Sequence, residues 1–546
     1  MKTRLGWPAH LAQRHMVRGV VAAAVLFAGA MSAWALTDLT TVKAVDGTVI
    51  GSIGGHISQG SLTQQVQAGD AAGAFDRAFE HGDNLFASKF NAADGGGANV
   101  GGEQRYTRTP RADQTASPLW KTHTPARATG PNAAACNECH LLGGDDGAGP
   151  AAANVHRDPL RNGQLGQFIQ RNTPALFGLG GLQRLAEEMT TDLQAVRTAA
   201  RAACNCGTVT TSCTNTRALT SKGVNFGTLT ITRNSGSSTC NQSIAVPISG
   251  GAQAVASDLV VRPFQWKGSV AFIRDFVRGA GHNELGMQGS ELLGSPTVDP
   301  ATVDGDGDGV VNELFVGDIT SLTVYQAAQP RPTTRQELAS LGLAPALTSA
   351  ETSAIAAGST LFDQVGCNVC HIRQLLVNNV KFQEPSALAA FRDPSNLFPN
   401  GRSYAAGSFD PANPVSFDIT RDQPENSQFA LPNGQKLSNF TRDSSGRAVI
   451  ALFADLRRHN MGSGLAESID EVGTGSSVFL TRTLWGVGST APYMHDGRAV
   501  TLTEAILEHG GEAQNSRNSY TALSTTQKQQ LNAFLNNLVL FKAEEE

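Results

Sequence analysis

The sequence lacks a basic cluster, and the apolar run near its start is too short to cross a membrane. Across 546 residues, 42 Lys and Arg face 47 Asp and Glu, a formal charge of −5. Nucleic acid, which needs a dense positive face, is thereby excluded as a partner. The run Val20–Met31 is 12 residues long, whereas a spanning helix needs about 20. Residues 1–35 contain no Asp or Glu, but Lys2, Arg4, Arg14 and Arg18 precede that run and Ala33-Trp34-Ala35 follows it. This pattern predicts a signal peptide over 1–35 and a mature chain that is periplasmic or secreted and does not span the membrane, the competing reading being an uncleaved anchor. Removing those four basic residues takes the charge from −5 to −9. The length exceeds what one core serves, so two or more domains are expected.

Eight cysteines divide into two groups. Cys204, Cys206, Cys213 and Cys240 lie in a Gly/Ser/Thr-rich stretch, and in an exported chain they predict two disulfides. A Cys204–Cys206 bond would close too tight a ring, so each is expected to pair with Cys213 or Cys240. The alternation in "GTLTITR" makes the region 203–247 a small stapled β-insertion.

The other four form "CNECH" (Cys136, Cys139, His140) and "CNVCH" (Cys367, Cys370, His371). In C-x-x-C-H two thiols can form thioethers to porphyrin vinyl groups, and the adjacent histidine can ligate iron. Zinc would want further paired Cys or His, and thiol redox chemistry has no use for the histidine twice. Two covalently bound c-type haems are therefore expected, with His140 and His371 as proximal iron ligands. "AGSTLFDQVGCNVCH" and the earlier "HGDNLFASKF" open alike, which suggests a repeated unit.

A distal protein ligand makes an electron carrier, and an open position makes a site for oxygen or peroxide. Candidates after the second motif are His459, Met461, Met494, His495 and His509. Thr501 and Glu504 fit a capping box, and Gly510-Gly511 a helix stop. A helix over 502–509 would be about 12 Å long, so His495 and His509 cannot serve one iron.

These two motifs, together with "FQWKGSVAFIRDFVRGAGHNELGMQGSEL", "DGDGDGVVNELFVGDITSLTVYQAAQPRP" and "PYMHDGRAVTLTEAILEHGGEA", resemble the di-haem oxidoreductases related to bacterial cytochrome c peroxidase. The resemblance runs from about Phe75 to Phe541 and is nearest to the branch labelled thiol oxidoreductase or di-haem peroxidase. The methylamine-dehydrogenase maturation enzyme and the rubber oxygenases are related branches. It implies a mainly α protein of two cytochrome c-like haem domains: 36–335 with the reactive haem and the β-insertion, and 336–546 with the electron-transfer haem. His509 stands where the peroxidases carry a methionine ligand, implying a bis-histidine second haem of lower potential. Trp266 matches the family's inter-haem tryptophan, Glu284 its acid/base glutamate, and His495 a loop residue near the other haem. Phe276 falls where the peroxidases have glutamine, and an apolar ring there suits dioxygen or an organic substrate better than peroxide. His282 and Met287 are the residues able to close the first iron.

The acidic stretch carries Asp304, Asp306 and Asp308 at alternate positions before Gly309, the first half of a calcium loop. Its twelfth position holds Phe315, with Glu313, Asn312 and Asp318 nearby; the resemblance implies calcium here. The functional expectation is a peroxidase-like oxidoreductase drawing electrons from a small redox protein or small-molecule donor. The alternatives are a dioxygenase cleaving an apolar substrate and a pure electron-transfer cytochrome.

Overall fold

Helix α2 (Ala71–Ala87) shows how the sequence builds the first helix pair. Asp70 caps it by accepting the Gly73 amide at 3.0 Å, and Phe75, Ala78, Phe79, Gly82 and Phe86 bury one stripe. It follows α1 (Gln59–Gln67) in a computed structural model that describes residues 55–100, 103–107, 127–144, 146–292, 304, 308–311, 313–393 and 409–543. The expected signal peptide, Asp306 and Asn312 lie outside these residues. The chain continues through α3 (Leu179–Ala203), α4 (Ile273–Ala280), α5 (Val316–Ala327), α6 (Arg335–Ser340), α7 (Ser349–Gln364), α8 (Leu502–Glu508), α9 (Gln514–Thr521) and α10 (Thr525–Asn536).

Two helix pairs cross at a glycine. α2 packs on the wholly buried α5 at Gly82, where a Cβ would collide with the Ser321 carbonyl oxygen. α7 packs on α10 at Gly358, where a Cβ would collide with the Gln530 carbonyl oxygen. Gly82 opens "GDNLF" and Gly358 opens "GSTLF", so the likeness between the two stretches reflects the same packing task. The phenylalanines that end them are both buried: Phe86 lies 6.1 Å from the His140 ring, and Phe362 packs on Phe453 and Phe534.

The expected mainly α architecture does not hold. The structure is 35% helical and 16% strand, with small sheets of two or three strands. Between Gln364 and Leu502 the described residues form short strands and 3-10 turns but no α-helix. Segments rich in Pro, Gly and Asn cannot sustain a helical repeat, and here the chain closes as short antiparallel ladders such as Lys381–Glu384 with Val415–Asp418.

The stapled insertion is present. Strands β3 (Cys213–Ser221), β4 (Val224–Arg233) and β5 (Asn241–Ala245) pair antiparallel, fastened by Cys204–Cys213 and Cys206–Cys240. They follow the short pair β1 (Val155–Arg157) and β2 (Ile169–Arg171). Later pairs include β6 (Leu375–Val377) with the strand Ala448–Ile450, and β7 (Lys381–Glu384) with β8 (Val415–Asp418). Among the described residues, no helix is long and apolar enough to cross a membrane.

Candidate functional site

Each C-x-x-C-H motif forms one tight turn that brings its three side chains together. The His140 amide donates to the Cys136 carbonyl at 3.2 Å, and the His371 amide to the Cys367 carbonyl at 2.9 Å. His140 Nδ1 lies 3.0 Å from the Gly147 carbonyl, and His371 Nδ1 lies 2.9 Å from that of Phe453. A ring whose Nδ1–H is given to a carbonyl presents a bare Nε2, the arrangement a metal-ligating histidine needs. Burial pushes both imidazoles down to about 4, so they stand neutral, as ligation requires.

Around the first motif is a cavity enclosing about 1280 Å³, counting the part open to solvent. Cys136, Cys139 and His140 lie in its wall, with Phe86, Phe90, Leu176, Val277, Leu285, Leu314 and Leu322 supplying an apolar lining. Trp266, Phe276 and Glu284 also face it. Three residues that the motifs nominated separately are thus brought onto one surface with His140.

Glu284 sits in a π-turn, Gly281–Leu285, that continues α4; such bulges recur at functional sites. Its Oε2 accepts from Asn132 Nδ2 at 2.6 Å, and its Oε1 lies 3.8 Å from Arg157. Loss of water raises its pKa, and Arg157 and Asn132 only partly oppose this. The carboxyl is therefore able to hold a proton in the cavity wall. Trp266 Nε1 donates to the Asn172 carbonyl at 2.9 Å, which fixes the indole plane. His282 and Met287 are buried but are not part of the cavity lining.

At the second motif the opposing group is His509, at the C-cap of α8. Thr501 and Glu504 form the capping box that starts this helix, and His509 Nδ1 lies 2.7 Å from the Ala505 carbonyl. The His371 and His509 rings are 6.4 Å apart, centroid to centroid, at 61°. Two axial imidazoles on one metal, at about 2 Å per bond plus the ring radii, give roughly 6 Å. The donor set therefore fits a six-coordinate iron.

Of the other distal candidates, His459 is occupied elsewhere. His459 has both ring nitrogens against carboxylates, Asp455 at 2.9 Å and Glu512 at 2.8 Å. Although burial acts the other way, these partners raise it to about 11, so it stays an imidazolium with no lone pair for a metal. Cys370, Asp455 and His459 form one close cluster of ligand-type atoms, but a charged His459 cannot ligate. The Met461 amide pairs with the Ser477 carbonyl in the neighbouring loop. Met494, at φ 73°, belongs to the tight turn before His495.

His495 is buried and packs against Phe479, the ring centroids 4.4 Å apart and the planes tilted by 31°. It does not line the cavity; its carbonyl accepts the Asn172 amide at 2.7 Å, so it stands one layer behind the wall. Burial pushes it down to about 4. The sequence offered no pointer to the charged chain that joins this loop to Glu284. From Glu284 it runs through Arg157 to Glu471 at 2.6 Å, then Arg171 at 2.9 Å, then Glu467, which lies 3.7 Å from His495. Arg157 and Arg171 come from the paired strands β1 and β2 and were not distinguishable in sequence from ordinary surface arginines.

The acidic loop is only partly described. The Asp304 carboxylate accepts the Gly309 amide at 2.9 Å, and Asp308 that of Val310 at 2.7 Å. Asp318 does not complete the loop: it is buried between His56 at 2.5 Å and His81 at 2.8 Å. Glu313 accepts the Gln288 amide at 2.7 Å.

No curated protein matches the chain. Residues 441–538 match the family described as "Di-haem oxidoreductase, putative peroxidase". The matched span contains His459, His495 and His509 but neither C-x-x-C-H motif, so the motifs and the matched segment are separate observations pointing the same way. Together they support placing the chain in a di-haem peroxidase-like family.

Proposed function

We propose that the chain is an exported oxidoreductase with two c-type haems, in which the first site reacts with peroxide and the second supplies electrons. The observation that carries this reading is the asymmetry between the motifs: His371 faces His509 across 6.4 Å, whereas His140 faces a cavity. When bound, haem would supply a redox-active iron, its porphyrin tethered through thioethers. Cys136, Cys139 and His140 would hold the first, and Cys367, Cys370, His371 and His509 the second.

The chain's own groups account for the remaining work. Glu284, raised by burial and steadied by Asn132, holds a proton within the cavity and can pass it between substrate oxygens. The apolar lining keeps bulk water away from that carboxyl. Trp266, anchored through Nε1, is placed to carry electrons into the cavity from a small redox protein or small-molecule donor that meets the second site.

A second reading, a dioxygenase cleaving an apolar substrate, is favoured by one observation: Phe276 stands in the cavity wall among other apolar side chains. A pure electron-transfer cytochrome is disfavoured, because His282 and Met287 lie outside the lining.

Two measurements test the proposal. Intact mass of the exported protein should show two haems, with one lost in Cys139→Ser and one in Cys370→Ser. Peroxide consumption with a reduced donor should then exceed oxygen uptake with an apolar polyene substrate. An excess in the opposite direction selects the dioxygenase.

A further inference from the structure

Arg457 is 8% exposed, yet its Nε and Nη2 have no hydrogen-bond partner among the described residues. Among the described residues its ion-pair partner is Asp455, 3.9 Å from Nη1, and the Asp455 oxygen concerned is already taken by His459 at 2.9 Å. The segment carrying Arg482 runs next to that of Arg457, since the Thr481 amide donates to the Arg457 carbonyl at 2.9 Å. The Arg482 guanidinium sits 5.2 Å from the centroid of the Trp266 ring. Burial alone moves it, down to about 10, with no carboxylate opposing. A buried guanidinium without an anion is strongly disfavoured.

Their position indicates which anion is absent. Neither arginine lines the cavity of the first motif. The segment carrying Arg482 runs against the second site instead: the Leu484 amide donates to the Leu452 carbonyl, next to Phe453, whose carbonyl meets His371. Leu484 also packs in the same cluster as Cys367. A porphyrin fixed through its vinyl edge presents two propionate carboxylates on another edge, and guanidinium forks match carboxylates in geometry and charge.

We propose that Arg457 and Arg482 hold the propionates of the haem on His371 and His509, against the Trp266 indole. This inference rests on the two-haem reading. It makes Arg482 a positioning residue at the junction between the second haem and the wall of the first cavity. Neutralising both propionates there also favours the reduced iron, so the pair raises the potential of the second haem.

The test is a spectroelectrochemical titration of both haems in the full-length haem-loaded protein, comparing wild type with Arg482→Gln, Arg482→Lys and Arg457→Lys. Arg482→Gln should shift the one-electron equilibrium of the low-spin haem at least tenfold toward the oxidised form, about 59 mV. The lysine variants, which keep the charge and are the variants most able to fold, should shift it less than threefold. The first haem should stay within error in all three. An equal or larger shift at the first haem, or none at either, would overturn the assignment. Absence of covalent haem from the wild type would defeat the two-haem reading itself, an outcome distinct from unmoved potentials.

Discussion

His371 and His509 face each other with ring centroids 6.4 Å apart, each with Nδ1 against a backbone carbonyl, Phe453 for one and Ala505 for the other. Both Nε2 atoms are thereby left as the free donors. His509→Met should replace imidazole by thioether and raise the potential of the second haem, while leaving the first unchanged. A redox titration in which the second potential stays where it was would remove His509 from the iron.

Loss of water in the cavity wall raises the pKa of Glu284. Glu284→Gln keeps volume and the contact to Asn132 but not the exchangeable proton, so peroxide turnover should fall by about 10²–10⁴-fold. The absorption bands of both haems should be unaltered. Turnover within threefold of wild type would make Glu284 a wall residue only.

The two glycine crossings give a stability prediction. Gly82→Ala and Gly358→Ala each place a methyl group against backbone of the partner helix, and overpacking of this kind costs about 1–3 kcal/mol. Denaturant unfolding should show both losses. A neutral result at either position would mean that the helices can separate there at no cost.

A pH dependence follows from a buried network on the far side of α4. Three carboxyls, Glu291, Glu384 and Asp393, meet two guanidiniums, Arg274 and Arg278. Against the effect of burial, the two arginines hold Glu291 below its ordinary value. Glu384 is pushed up to about 7 by burial, with Arg274 at 3.1 Å only partly offsetting this. The folded state therefore binds a proton that the unfolded chain releases near pH 4, as ordinary glutamates do. This contribution is fully present below about pH 4 and is lost as pH rises through 7. Glu384→Gln should flatten the fall in unfolding free energy between pH 5 and pH 8 by an amount on the order of 1–3 kcal/mol. An unchanged slope would assign the dependence to another group.

Much of the site was legible because covalent chemistry and capping are local. C-x-x-C-H specifies its own turn, and Thr501 with Glu504 started the helix that delivers His509. The disulfide partners were narrowed by ring size to pairs that include those found. What stayed hidden depends on long-range packing. His459 looked like a ligand until Asp455 and Glu512 were seen to take both nitrogens. Arg157, Arg171, Glu467 and Glu471 meet across distant segments and carry no motif. The helical content was overestimated because strands of two to four residues are too short for a period to show in sequence.

The most direct test of the account is electron paramagnetic resonance of the resting oxidised protein. One low-spin bis-histidine signal and one signal from an iron open on its distal side are predicted, each integrating to one spin per chain. Two low-spin signals would contradict the open first site, and loss of neither signal in His509→Ala would contradict the pairing of His371 with His509.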